Sequence, residues 1–178
     1  MFWPSFEIHL LNLRRVFQRV RDARLKLKPE KCKFAHPQVK FLGHVVSEDG
    51  LSTDPEKLEK IKNWPIPKSV PELRSFLGLG SYYRRFVQGF AKVACPLNRL
   101  LEKRDWRSTQ ECDSAFAQLK SNLCASPILA YPNFKEKFLL DCDASEGGVG
   151  VVLSQLDVQG GEHPIAFYSR SLSKPERR

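Results

Sequence analysis

The segment 72–90, ELRSFLGLGSYYRRFVQGF, constrains the fold more than any other part of the chain. Ser69 and Glu72 stand at capping-box spacing, and Pro71 suits the first turn of a helix. At 100° per residue, six apolar side chains fall on one wide arc that should face a core: Leu73, Phe76, Leu77, Tyr83, Val87 and Phe90. The segment therefore predicts a long amphipathic helix.

A second side of this predicted helix carries Arg74, Gly78, Ser81 and Arg85. This stripe is small in its middle and basic at both ends, which suits close approach to a phosphate chain or a shallow groove. Gly78 and Gly80 each cost roughly 1 kcal/mol relative to alanine inside a helix, so something should offset them. A neighbouring helix, with the arginines merely solvated, explains the pattern as well as a nucleic acid does.

Charge is unevenly distributed along the chain. Residues 1–108 hold 22 Lys+Arg and 11 Asp+Glu, a net charge of +11, whereas residues 109–178 hold 7 and 9, a net charge of −2. A basic front half indicates a polyanion as partner, and nucleic acid is favoured over a protein that is merely basic throughout.

Composition and patterning narrow the class of protein. The chain is 42% hydrophobic and 28% charged, as is typical of globular proteins. No apolar run approaches the ~20 residues of a membrane span, and no secretory signal begins the sequence. The five cysteines are scattered and never at CxxC spacing, which argues against a disulfide framework or a zinc site. We therefore expect an intracellular protein with reduced core thiols, acting in the cytoplasm or nucleus without a membrane partner.

The remaining segments alternate between helical and strand patterns, which predicts an α+β fold. Asp54 and Pro55 signal the start of one helix, and Ser108 with Glu111 the start of another. A charged loop is expected at 102–108, and glycines punctuate turns at 147–148 and 160–161. Helices are predicted at 6–24, 55–64, 97–101 and 108–123, and strands at 25–28, 32–35, 39–47, 137–143, 149–155 and 164–171.

Asp141 and Asp143 alternate with Cys142 on a predicted strand, so the two carboxylates share one face. Such a pair can help to hold a hard divalent cation if further acids join it. The simpler interpretation is a strand that ends in solvent with acidic residues. The sequence pattern alone leaves both open.

Several long segments of the sequence resemble the reverse transcriptase of gypsy-type long-terminal-repeat retrotransposons and their retroviral relatives. They are HLLNLRRVFQRVRDARLKLKPEKCKF, VKFLGHVVSEDGLSTDPEKLEKIKNWPIP, RSFLGLGSYYRRFVQGFAKVACPL, AFAQLKSNLCASPILAYPNF, FLLDCDASEGGVGVVLSQ and HPIAFYSRSLS. They occur in the family's order and at its spacing, and they cover nearly the whole chain. The resemblance is therefore to a segment of a Pol polyprotein.

The resemblance implies a domain order and a set of site residues. Residues 1–54 would be the end of the polymerase palm with its primer-grip hairpin, 55–107 the helical thumb, and 108–178 a connector helix and the three-stranded antiparallel meander that opens a ribonuclease H domain. Primer contact is implied for Phe41, Leu42, Gly43 and His44, and duplex contact for Arg74, Gly78, Ser81 and Arg85. Asp143 would be the first metal-binding carboxylate of ribonuclease H, with Mg²⁺ as cofactor. For Gly43, an ordinary strand bulge is the alternative.

The implied partners are an RNA–DNA or DNA duplex and the rest of a Pol polyprotein. The family's Tyr-x-Asp-Asp polymerase sequence does not occur here, and no acid after Asp143 matches the later ribonuclease H carboxylates. We therefore expect enzymatic ancestry, duplex binding and no catalysis by these 178 residues alone. The alternatives are a host-retained, non-enzymatic binding module or a decayed remnant without function.

Overall fold

The computed structural model describes residues 5–102, 106–145, 148–173 and 175–177. Its first helix begins after a serine cap. Helix α1 spans Phe6–Asp22, and the Ser5 side chain accepts a hydrogen bond from the Ile8 amide at 3.4 Å. None of the residues of α1 is buried. Residues 1–39 and 40–178 form two compact units, and α1 belongs to the first.

Two strands predicted in the first unit are wrong. Residues 25–28 and 32–35 are irregular, and Pro29–Lys31 forms a 3₁₀ turn between them. Arg24 and Ala35 bracket this segment with φ values of 55° and 53°, in the left-handed region, which interrupts an extended path. The alternation of leucine and lysine at residues 25–28 was therefore not sufficient to define a strand.

A three-stranded sheet follows, in the order β1 (Gln38–Phe41), β2 (His44–Ser47) and β3 (Leu51–Thr53). Strands β2 and β3 are antiparallel, with His44 opposite Thr53. The strand predicted over 39–47 is thus two strands, because Leu42 and Gly43 form a turn with positive φ.

Helices follow the sheet. Helix α2 spans Pro55–Lys62 and is capped as predicted by Asp54, whose carboxylate accepts from the Glu56 amide at 3.1 Å. Helix α3 spans Val70–Tyr82, and its cap Ser69 accepts from the Glu72 amide at 3.4 Å.

The helix predicted over 72–90 is wrong beyond Tyr82. A 3₁₀ turn at Arg84–Phe86 and Gly89 with φ 64° separate α3 from α4, which spans Phe90–Glu102. All six predicted arc residues are nevertheless buried, since the 3₁₀ turn and α4 return the chain to the same core. The short helix predicted at 97–101 is the end of α4.

Helix α5 spans Gln110–Cys124 and buries five of its residues, Cys112, Ala115, Phe116, Leu119 and Leu123. Its cap is Thr109, which accepts from the Cys112 amide at 3.4 Å, and not the predicted Ser108. Ser108 instead donates to the Asp113 carboxylate at 2.7 Å. Residues 103–105 of the predicted charged loop lie outside the described residues, as does Gly147 of the predicted glycine turn.

A second sheet is the antiparallel meander that was predicted. It consists of β4 (Leu139–Ser145), β5 (Gly148–Leu156) and β6 (Glu162–Ser171), in that order. The described residues thus contain five helices and two antiparallel sheets, and the α+β prediction is confirmed. None of these helices, within the described ranges, is long and apolar enough to cross a membrane.

The core of the second unit is formed chiefly by helices α2 to α5. At its centre the rings of Phe76 and Phe116 lie 4.6 Å apart, and Trp64 packs edge-on against Phe76. The cysteines are free, and Cys112 is buried, whereas Cys124 and Cys142 are exposed. The prediction of core thiols is therefore wrong for the last two.

Polar contacts join the meander to the helices. The Ser169 hydroxyl of β6 accepts from the Ala91 amide at 2.9 Å, and the Arg84 guanidinium donates to the Ser169 carbonyl. The same guanidinium lies 5.6 Å above the Tyr168 ring. Arg84 is thus occupied in packing β6 against the 3₁₀ turn.

Candidate nucleic-acid interface

The predicted primer-contact residues form the tip of the β1–β2 hairpin. Leu42 and Gly43 have φ values of 47° and 74°, as in the two-residue type I′ turn whose twist matches that of paired strands. Gly43 is therefore a turn residue and not a bulge. The Phe41 and Leu42 side chains are 63% and 71% exposed, so the tip presents two apolar groups to solvent.

Leu42 is conformationally strained. A left-handed backbone at a residue other than glycine costs of order 1–3 kcal/mol and persists only where surrounding contacts hold it. Those contacts come from the end of α3. The Tyr82 hydroxyl donates to the Leu42 carbonyl, and the Tyr83 hydroxyl donates to the Gly43 carbonyl at 2.7 Å.

Gly43 is required by space as well as by its φ. A Cβ atom there would lie 3.2 Å from the Tyr83 hydroxyl oxygen, which is tighter than an ordinary van der Waals contact. It would also lie 3.4 Å from Cε1 of Tyr82, at the limit of such contact. The missing side chain thus lets both tyrosines reach the turn. Burial, with the neighbouring Tyr82 and Asp54 contributing less, raises the pKa of Tyr83 to about 12, so its hydroxyl remains a donor.

His44 lies against the same tyrosines. Its ring stacks on Tyr82 at 5.2 Å, meets Tyr83 edge-on at 5.5 Å and lies 5.5 Å from Phe86. Its buried Nδ1 has no hydrogen-bond partner in the described part of the chain. Burial, and secondarily the positive charge of Arg85, lowers the pKa of the imidazole below its usual value. His44 is therefore a neutral packing residue behind the turn.

The predicted stripe on α3 is only partly correct. Arg74, Gly78 and Ser81 are exposed on this helix, and a Cβ added to Gly78 would meet nothing within 4 Å. Gly80 differs, because a Cβ there would contact the Phe90 ring at 3.5 Å and Leu123 at 3.6 Å. The two explanations offered for the glycines thus divide: Gly80 admits neighbouring helices, and Gly78 faces open space.

Arg85 does not belong to the α3 stripe. The helix ends at Tyr82, so the i+11 spacing from Arg74 no longer places Arg85 on the same face. Arg85 is exposed in the 3₁₀ turn, and its charge acts on His44 behind the hairpin tip. It therefore lies beside the turn residues and not along the helix.

Asp143 lies on β4 opposite Gly150, and both it and Asp141 are exposed. Across the described residues, no three His, Cys, Asp or Glu side chains come together in a way that could hold a metal ion. A two-metal hydrolytic site needs several carboxylates around one point. The side chains present here therefore do not fit a complete magnesium site, and no catalytic step is assigned to Asp143.

The hydroxyl contacts of Tyr82 and Tyr83 were not predicted from the sequence, which placed only Tyr83 on the arc that faces the core. Each contact joins residues 40 positions apart, so no local pattern signals it. The adjacent tyrosines at a helix end are the only visible hint.

The fold described above is similar to that of solved reverse transcriptase structures. Two solved structures of foamy viral protease-reverse transcriptase, one in complex with RNA/DNA hybrid and one, termed dRH, in complex with double-stranded DNA, each cover 100% of this chain with a TM-score of 0.84 and 25% identity. The chain corresponds to 24% and 31% of those two proteins.

Sequence comparisons agree. Residues 108–178 match the RNase H-like domain found in reverse transcriptase. Retrovirus-related Pol polyproteins from transposons 297 and opus of Drosophila melanogaster are 41% and 43% identical over 99% of the chain, which spans 16% and 19% of their lengths. The Tf2-3 polyprotein of Schizosaccharomyces pombe is 36% identical over 94% of the chain, which spans 13% of it. The chain therefore belongs to the retrovirus-related Pol polyproteins of long-terminal-repeat retrotransposons, as a segment that spans less than a fifth of the polyproteins that it matches.

Proposed function

We propose that this segment of a Pol polyprotein binds the primer–template duplex during RNA-directed DNA synthesis. The observation that carries the proposal is the hairpin tip 41–44, held by two tyrosine hydroxyls to the end of the helix whose exposed side carries Arg74 and Gly78. An apolar tip and an open helix face that carries Arg74 are thereby joined within one compact unit.

Duplex binding of this kind is mainly contact with phosphates and sugars, and it is insensitive to sequence. The net charge of +11 in residues 1–108 supports such binding. Gly78 would admit the sugar–phosphate chain close to the helix backbone, since nothing lies within 4 Å of the position of its missing Cβ. The foamy viral relatives, solved with RNA/DNA hybrid and with double-stranded DNA, support the transfer of this role.

The proposal extends to the domains and to catalysis. Residues 1–54 would belong to the palm, 55–107 to the thumb, and 108–178 to a connector helix and the start of ribonuclease H. Asp143 would supply one ligand to Mg²⁺, and the other carboxylates would come from elsewhere in a Pol polyprotein acting inside the cell. These 178 residues alone would therefore bind duplex without catalysing. Metal-dependent primer extension or cleavage of an RNA–DNA hybrid by the purified chain would overturn this last point.

The binding proposal is tested with a labelled RNA–DNA hybrid titrated by the protein across a salt series. Arg74→Glu should weaken binding and reduce the salt slope by about one, because one phosphate contact is lost. Lys135→Glu is the matched control, since it makes the same charge change at an exposed position between α5 and β4. Equal affinity of the two variants would show that the α3 face does not contact the duplex.

A further inference from the structure

The hairpin tip combines a strained backbone with two hydrogen bonds from one helix end. Leu42 has φ 47°, and its carbonyl and that of Gly43 both accept from tyrosine hydroxyls. The Gly43 carbonyl also accepts from the Asp54 amide at 3.3 Å, whereas the Leu42 carbonyl depends on Tyr82. Strain of this type persists only while neighbouring contacts hold it.

We propose that Tyr82 and Tyr83 are positioning residues that hold the Leu42–Gly43 turn in its duplex-binding conformation and in fixed relation to α3. The inference rests on the proposed function, because it assigns the turn and the α3 face to one bound duplex. Without the hydroxyls, Leu42 relaxes out of the left-handed region, and the exposed Phe41 and Leu42 side chains move with the backbone.

The hydroxyls also decide which polar groups the turn presents. A trans peptide directs its carbonyl and its amide hydrogen to opposite sides. Because the Leu42 carbonyl points to Tyr82, the Gly43 amide points away from α3. Amide donors attract phosphate oxygens, whereas carbonyl oxygens repel them. The two tyrosines therefore turn the acceptors inward and leave the outer side of the turn compatible with a phosphate chain.

Tyrosine-to-phenylalanine variants remove the hydroxyls and little else. Tyr82→Phe, Tyr83→Phe and the double variant are compared with Tyr131→Phe. Tyr131 is a matched control, since its hydroxyl bonds the Ser47 and Gly50 carbonyls, at 3.0 and 3.1 Å, at the neighbouring β2–β3 turn. Each variant is measured for unfolding in urea and for binding to the RNA–DNA hybrid.

The double variant should bind the hybrid roughly tenfold more weakly, the effect expected from two lost hydrogen bonds. Tyr131→Phe should bind within about twofold of the wild type, although its urea midpoint also falls, because a hydrogen bond of the same kind is lost. Affinity losses that simply follow the loss of stability in every variant would overturn the positioning role. Absence of binding by the wild type would instead remove the proposed function, and with it this inference.

A second substitution tests the strain directly. Asparagine adopts the left-handed conformation more readily than leucine, so Leu42→Asn should keep the turn without the hydroxyls. In Leu42→Asn protein, replacing both tyrosines should then lower the affinity for the hybrid less than about threefold. In the wild-type protein, the same two replacements should lower it roughly tenfold. An equal loss in both backgrounds would mean that the hydroxyls do not act by holding the strained turn.

Discussion

Gly78→Ala should make the protein more stable and its binding to duplex weaker. A glycine inside a helix costs about 0.8–1.0 kcal/mol relative to alanine. Gly78 lies within α3, and a Cβ there meets nothing within 4 Å, so the new methyl group causes no clash. The free energy of unfolding should therefore rise by about 1 kcal/mol, which raises Tm by roughly 2–4 °C for a chain of this size.

Gly80→Ala provides the matched comparison on the same helix. Its Cβ would make ordinary contacts of 3.5 Å with Phe90 and 3.6 Å with Leu123, so this variant should also gain about 1 kcal/mol. Gly80 faces the core, however, and its substitution should leave duplex affinity unchanged. Gly78→Ala should lower that affinity roughly tenfold, the worth of one hydrogen bond to a charged phosphate.

The assay pairs urea denaturation with anisotropy titration of a labelled RNA–DNA hybrid at one fixed salt concentration. We expect both variants to be more stable than the wild type, and only Gly78→Ala to bind the hybrid more weakly. If both variants bind as tightly as the wild type, the open space at Gly78 does not serve close approach of a duplex. If Gly78→Ala is destabilising, the helix geometry at that residue has been misjudged.

One substitution and one pH titration test the surroundings of the hairpin. Gly50→Ala should strongly lower the urea midpoint, because Gly50 has φ 139° and a Cβ would lie 2.3 Å from the Leu129 carbonyl; an unchanged midpoint would contradict this packing. His44 has a folded-state pKa below its unfolded value of about 6.5, so the unfolded chain binds more protons and stability falls as pH drops below 6.5. His44→Gln should remove that part of the pH dependence between pH 5 and 7.5, and an identical slope in both proteins would rule out His44 as its source.

Local patterns predicted the elements whose side chains have an unambiguous burial period. Helix α5 and the meander were found because apolar residues recur regularly between clear breaks. The end of α3 was missed since Tyr83, Val87 and Phe90 continue the apolar arc although the helix has already ended. Burial was thus correctly predicted where the element was not.

Less of the candidate nucleic-acid interface than of the fold could be predicted from the sequence. The turn residues and the exposed part of the α3 stripe were identified, largely through resemblance to a family. The bonds from Tyr82 and Tyr83 to the turn depend on how two distant segments pack, and a hydroxyl group carries no signal of its partner. Arg85 was predicted to share a helix face with Arg74 because the predicted helix continued past Tyr82, where α3 ends.

The pairing of Leu51 with Leu129 has a consequence for how the chain assembles. The two residues exchange backbone hydrogen bonds of 2.8 Å, and the nearby bond from Tyr131 to the Gly50 carbonyl spans 81 residues. Helices α2 to α5 are thus an insertion whose two ends are tied side by side in a β-structure. Closing so long a loop is entropically unfavourable until helices shorten it, and contacts of this kind slow folding. Helix formation should therefore precede the tie, and a chain emerging from the ribosome can form the tie only after residue 131 has been synthesised.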